Sequence, residues 1–256
     1  MLAPAEIALL SRVAVVTGGA SGLGLSICEH LAAAGHRVAV LDVDADGAER
    51  VAADLRAAGA DSVAIGCDVS DPASVTASFE KVRTEFGAIQ ILVTSAAIVG
   101  FAPFDKITLS DWTRIIAVNL TGTFLCLQAA IADMTATGWG RIVTISSAAA
   151  QLGSQHQGHY VASKGGVIAL TKTVAREYAS QGITANTIPP YTADTPMLRA
   201  AQSAGQIPKA DAIARMVPAG RVGTGEDIAS ACTFLCSEAA SYITGQIIGV
   251  NGGAVL

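Results

Sequence analysis

Aromatic residues make up only 5% of this 256-residue chain. That excludes a core of stacked rings and leaves one of Ala, Val, Ile and Leu, within a hydrophobic fraction of 51%. No run of Lys or Arg occurs and the net charge is −5, which excludes an electrostatic surface for nucleic acid. No C-x-x-C is present. The five cysteines (Cys28, Cys67, Cys126, Cys232 and Cys236) are odd in number and lie in apolar surroundings. They read as small buried hydrophobes in a reducing, cytoplasmic compartment. Cys232 and Cys236 share a helix face, but no third or fourth ligand accompanies them, so no metal is expected. Met1–Ser11 lacks a basic stretch and a small-residue cleavage site, and no secretory leader is expected. Phe86–Phe104 is uncharged and long enough to raise a membrane question. Its Gln90, Thr94, Ser95, Gly100 and Pro103 make it read as a buried strand plus loop. Repeats, low-complexity tracts and linkers are also missing, so 1–256 reads as one domain.

What is present is an alternation of short apolar runs and longer helical patterns. Arg12–Thr17, Arg37–Asp42, Ser62–Cys67, Ile89–Ser95, Arg141–Ser146, Thr184–Ile188 and Gln246–Val250 read as strands. Such nearly continuous apolar runs are expected of parallel strands covered on both faces. Gly22–Ala34, Ala45–Ala58, Pro72–Phe86 and Tyr160–Gln181 read as helices. The order predicts an α/β fold: a Rossmann-like, doubly wound parallel sheet of about seven strands with helices on both faces. Residues 189–222, rich in Pro, Ala and Gly, break the rhythm and read as a flap with one or two short helices.

Between the first strand and the first helix runs Thr17-Gly18-Gly19-Ala20-Ser21-Gly22-Leu23-Gly24. Glycines there permit a tight turn and close backbone approach, and the helix N-terminus offers N–H groups to a pyrophosphate. Asp42 ends the second strand, 18 residues after Gly24. A carboxylate there accepts hydrogen bonds from ribose hydroxyls and repels a 2′-phosphate. Neither Ser21 nor Val43 is basic, and NAD is expected rather than NADP. Asp44 and Asp46 read as loop and cap residues. Farther along, Tyr160 and Lys164 are four residues apart and share a helix face. A free phenol keeps its proton up to a pKa of about 10. A fixed ammonium nearby lowers that value and fits tyrosine for general acid/base work.

Taken together, T-G-x-x-x-G-x-G at Thr17–Gly24, Asp68-Val69, Asn119, Ser147, Tyr160-x-x-x-Lys164, and Asn186 through Thr195-Pro196-Met197 resemble the short-chain dehydrogenase/reductase family over nearly the whole chain. The resemblance implies roles. Gly18, Ser21, Gly22, Leu23, Gly24 and Asp42 would hold the dinucleotide; Asp68 and Val69 would meet the adenine. Ser147, 13 residues before the tyrosine, would hydrogen-bond the substrate oxygen. Tyr160 would exchange its proton. Lys164 would hold the nicotinamide ribose and lower the tyrosine pKa. Asn119 would sit at a bend in a long helix and position a water. Thr195 would meet the nicotinamide carboxamide. Ser146 adjoins Ser147, and spacing alone chooses between them. His156 and His159 read as loop residues near the pocket mouth.

The chain departs from the family pattern twice. Thr94-Ser95-Ala96-Ala97 stands where N-N-A-G is usual, with Ser95 still able to serve the ribose. Pro189-Pro190-Tyr191 stands where P-G is usual, and Tyr191 is expected to face the substrate. Ala149, Gln151, Gln157, Tyr191, Thr192, Met197 and Leu198 are the expected substrate wall. The reading is an NAD-dependent oxidoreductase for a bulky secondary alcohol or ketone. A 3-oxoacyl-thioester reductase is the alternative; Asp42 counts against it because the biosynthetic reductases of the family commonly use NADPH. A non-catalytic NAD-binding regulator is the distant one. The apolar stretches Glu226–Cys236 and Gly245–Leu256 are expected to pack across a two-fold axis, and the resemblance implies a homotetramer, or a homodimer.

Overall fold

The computed structural model describes residues 11–256; Met1–Leu10, read above as lacking a leader, lies outside them. Six parallel strands form one sheet in the order β3-β2-β1-β4-β5-β6. They are β1 (Val13–Thr17), β2 (Arg37–Asp42), β3 (Ser62–Gly66), β4 (Ile91–Thr94), β5 (Gly140–Ile145) and β6 (Ile183–Ile188). Side chains alternate between the two faces of a strand, and both faces are covered. Ala14, Val16, Val38, Val40, Ile91 and Val93 pack on one side. They meet α1 (Gly22–Ala33), α2 (Ala45–Ala57) and α10 (Gly225–Leu235). Val13, Val15, Ala39, Leu41, Leu92 and Ile142 pack on the other. They meet α3 (Pro72–Phe86), α5 (Gly122–Thr137) and α7 (Gly158–Tyr178). This is the doubly wound arrangement that the apolar runs predict.

Helix starts follow local chemistry. The Asp44 carboxylate accepts from the Gly47 N–H at the start of α2. Asp71 caps α3, whose first residue is Pro72. Thr224 and Asp227 close a capping box on α10. One helix runs from α4 (Leu109–Ile116) through a π turn, Ala117–Thr121, into α5. Over Leu109–Thr137 it is long and apolar enough to cross a membrane by length and composition; here it lays Cys126, Leu127, Ala130 and Met134 against the sheet. Phe86–Phe104 forms β4 and a loop, not a helix. The five cysteines are free and buried.

The sheet has six strands rather than about seven. Gln246–Val250 contributes only an isolated bridge, Ile247 to Thr187. Backbone bonds from Thr187 N–H to Gln246 and from Ile248 N–H to Thr187 make that bridge, and side chains fasten the residues around it. The Asn186 amide oxygen accepts from the Gln246 N–H at 3.1 Å and its NH2 donates to the Ile243 carbonyl at 2.7 Å. The Thr244 hydroxyl accepts from the Ala185 N–H at 3.1 Å. Asn186 is fully buried, so removing its amide strands two backbone groups. Asn186→Ala is expected to lower stability by about 2–4 kcal/mol in urea unfolding; a loss below about 0.5 kcal/mol would show that the amide does not fasten this segment.

Candidate active site

The carboxyl edge of the sheet and the loops beyond it enclose a cavity of about 980 Å³. At one end lies the glycine-rich turn. Gly18 has φ +69°, and a Cβ there would come within 2.7 Å of the Ala96 backbone, so the turn lies flush on the loop after β4. A Cβ on Gly24 would collide with the Gly18 carbonyl oxygen. Gly24 is thus absent from the cavity wall and serves to close helix α1 onto the turn. Ser21 gives α1 no side-chain cap, and the first turn holds no acidic residue. Its N–H groups are left for an anion, with Ser21, Gly22 and Leu23 in the wall. Asp42 is held on both oxygens, by the Ala20 N–H and the Asp44 N–H, each at 3.0 Å. Val43, Asp68, Val69 and Ser95 complete this end. Uncapped N–H groups, a flush glycine turn and an oriented carboxylate fit a dinucleotide.

At the other end Ser147, Tyr160 and Lys164 converge on the wall. Helix α7 places Tyr160 and Lys164 one turn apart on the same face. The Lys164 ammonium donates to the Ile145 carbonyl at 2.8 Å, where β5 ends. Both serines touch the cavity, and their hydrogen bonds tell them apart. Ser146 turns into the sheet, donating to the Ile188 carbonyl and accepting from Thr187. Ser147 is the serine beside the Tyr160 phenol. Asn119 sits in the π turn, fully buried and outside the wall. Its amide pairs with both the N–H and the carbonyl of Ile98 at 2.9 Å and donates to Ser163 Oγ at 3.0 Å. Ser163 in turn donates to the Tyr160 carbonyl at 2.7 Å. Asn119 therefore joins the loop after β4 to the helix that carries the tyrosine.

The substrate wall differs from expectation in places. Ala149, Gln157, Tyr191, Thr192, Met197 and Leu198 line the cavity; Gln151 does not. The short helix α6 (Ala149–Leu152) turns Ala149 and Leu152 inward, three residues apart, and leaves Gln151 exposed. Gln157 is buried and its amide oxygen accepts from Ser154 at 2.5 Å. Tyr191 also packs on a small cluster of Leu198, Ile213 and Val217 that forms the interior of the flap. The flap carries α8 (Pro196–Ser203) and α9 (Ala210–Ala214). Thr195 caps α8, accepting from the Leu198 N–H, and stands over Gly22. Among the described residues His156 alone combines a side chain with positive φ, +63°, and it lies in the wall. His159 is no mouth residue: α7 buries it. Ile98, Val99, Phe101 and Arg114 are wall residues that spacing did not reveal. The first three follow β4 at the carboxyl edge, where parallel sheets bind ligands, and Arg114 lies one turn before Val118 of the same wall.

The departures have visible consequences. The Thr94 hydroxyl is buried without a partner among the described residues, so it makes no side-chain link to a neighbouring strand. The Ala97 methyl stands in the wall. The Pro190 carbonyl accepts from the Ala148 N–H at 2.9 Å, and Tyr191 adopts no left-handed backbone.

Burial, rather than the ammonium, dominates the phenol. Enclosure raises the Tyr160 pKa and the Ser147 hydroxyl pulls it back. Burial lowers Lys164 from 10.5 to about 8. Between those values the unfolded chain binds more protons, so stability rises with pH; below them the buried charge is carried at full cost. Thermal unfolding of the nucleotide-free protein should show wild type gaining on Lys164→Met from pH 8 to 10.5. A constant difference over that range would refute the shift.

Comparisons agree with this geometry. A family profile described as enoyl-(acyl carrier protein) reductase matches residues 18–255. D-threitol dehydrogenase of Mycolicibacterium smegmatis is 40% identical, over 94% of this chain and 92% of its own. Cis-4-hydroxycyclohexanecarboxylate dehydrogenase of Sinomonas cyclohexanicum is 41% identical, over 96% and 97%. The 3-oxoacyl-[acyl-carrier-protein] reductase of Escherichia coli is 39% identical, over 94% and 96%. The crystal structure of gox2181 superposes with a TM-score of 0.90 at 35% identity, covering 95% of each chain. With the fold, the glycine turn and the Ser147–Tyr160–Lys164 constellation in place, the chain belongs to the short-chain dehydrogenase/reductase family.

Proposed function

We propose that this oxidoreductase uses NAD to interconvert a secondary alcohol and a ketone, with Tyr160 as the acid/base. The observation that carries the cofactor choice is the Asp42 carboxylate, oriented by two backbone N–H groups at the end of β2. No Lys or Arg from the neighbouring loop enters the wall: Arg50 pairs with Asp44 at 3.5 Å instead. A 2′-phosphate would meet negative charge there.

A bound nicotinamide supplies the hydride or accepts it. The chain does the rest. In oxidation the alcohol O–H donates its proton to the Tyr160 oxygen while Ser147 hydrogen-bonds the substrate oxygen, and the C=O forms as the hydride leaves the carbinol carbon. Lys164 places a positive charge near the phenolate that receives the proton. In reduction the same proton returns to the carbonyl oxygen.

Val99, Phe101, Leu152, Tyr191 and Ile207 give the wall an apolar character that fits a bulky, cyclic substrate. The cyclohexane-ring substrate in the name of one relative supports this reading. The second reading, reduction of a 3-oxoacyl thioester, is favoured by the Escherichia coli relative. We place the protein in the cytoplasm as a homotetramer. Exposed Phe124, Phe234 and Tyr242 supply apolar surface for a subunit contact.

Initial rates on cyclic, linear and polyol secondary alcohols, with NAD and NADP in parallel, separate these readings. NAD is expected to prevail on cyclic alcohols, and Asp42→Ala to move the NADP/NAD ratio of kcat/KM upward by about tenfold or more. Preference of the wild type for NADP, with turnover of 3-oxoacyl thioesters, would overturn the NAD assignment.

A further inference from the structure

His159 precedes Tyr160 on α7 yet belongs to neither the cavity wall nor the solvent. It is buried, and its Nδ1 has no hydrogen-bond partner among the described residues. Its ring faces Gly100, in the loop that follows β4. A Cβ on Gly100 would stand 2.6 Å from His159 Nε2, 3.1 Å from its Cε1 and 2.9 Å from Ile115 Cδ1 of α4. The first distance is about 0.8 Å short of ordinary contact at 3.4 Å. Gly100 is therefore gripped between two helices with no clearance for a methyl group.

The rest of the loop is held by the same helix or by residues tied to it. Ile98 is held on both backbone groups by Asn119, which also reaches Ser163 one turn below Tyr160. The Ala102 N–H donates to the His156 carbonyl at 2.8 Å. A Cβ on Gly158 would come within 3.0 Å of the Phe104 ring. Between the two pinned ends, Val99 and Phe101 turn into the cavity wall. The middle of that wall rests, at Gly100, on His159, the residue next to the tyrosine, and on Ile115.

We propose that Gly100 and His159 are a positioning pair. Their contact fixes the separation between the Tyr160 oxygen and the Val99–Phe101 wall, and so sets how a substrate is presented for proton transfer. The proposal rests on Tyr160 being the acid/base. A methyl at 100 must displace the His159 ring, the Ile115 side chain, the loop or the start of α7, by up to about 0.8 Å. A displacement of that size at a reacting pair is expected to reduce turnover by about ten- to a hundredfold. The dinucleotide end lies at the start of this loop, where Ser95 and Ala96 are fastened to Thr17 rather than to His159.

The test is a double-mutant cycle on the full-length protein, with Tyr160→Phe measured alongside and unfolding midpoints recorded for every variant. Gly100→Ala is expected to lower kcat at least about tenfold with the KM for NAD unchanged. Adding His159→Ala makes room for the methyl and should restore kcat severalfold over Gly100→Ala alone, the non-additivity of a contacting pair. Unchanged kcat in Gly100→Ala, or losses that simply multiply in the double variant, would overturn the pair. If Gly100→Ala does not fold, His159→Ala alone decides. It removes the stop without crowding and should change the kcat/KM ratio of cyclic to linear alcohols by at least about fivefold; an unchanged ratio overturns the proposal. Loss of activity in Tyr160→Phe with a silent Gly100 would defeat only the pair. Full activity in Tyr160→Phe would defeat the assignment on which it rests.

Discussion

The site depends on one buried ammonium. Lys164 is enclosed by α7 and the sheet edge, and its hydrogen bond to the Ile145 carbonyl ties the helix to the last residue of β5. Burying that charge is costly, and a charged group so placed needs a partner or a shifted pKa; Lys164 has both. The cost is met because β5 is fully buried and in register with β4 and β6 along its length. Tyr160, a turn earlier on the same helix, inherits its position from that anchor. Ser147 follows from the exit of β5, and Asn119 from the π turn that widens the long helix opposite.

Charge is divided along the cavity. The acidic groups of the wall, Asp42 and Asp68, stand where the second and third crossovers begin. Asp68 is occupied by Ser70, accepting from its N–H at 2.9 Å and its hydroxyl at 2.7 Å. The wall cations, Lys164 and Arg114, lie elsewhere. Such a division fits a dinucleotide, with the backbone N–H groups of α1 free to meet a diphosphate.

Much of this was legible in the chain. β1, β2, β5 and β6 show as apolar runs because their residues are buried on both faces, and the glycine turn shows because its backbone allows no Cβ at Gly18 or Gly24. What failed to show depended on partners distant in sequence. Gln246–Val250 has strand composition, but the Asn186 side chain takes the Gln246 N–H and the Thr244 hydroxyl takes the Ala185 N–H of β6. Gln151 is expected in the substrate wall, while a single turn of helix points it outward. His159 looks like a polar loop residue beside His156, and only Gly100, 59 residues earlier, explains its burial. Val99 and Phe101 carry no motif; their place comes from topology alone. The Tyr160–Lys164 spacing was visible, but not that enclosure would outweigh the ammonium at the phenol.

The most direct test of the account is the pH dependence of kcat for NAD-linked oxidation of a cyclic secondary alcohol, in wild type and Tyr160→Phe. Oxidation needs the phenolate, so wild-type kcat should rise with pH as one group loses its proton, and Tyr160→Phe should lose about 10²–10⁴-fold and that rise with it. A Tyr160→Phe enzyme that keeps both the rate and the pH dependence would contradict the account.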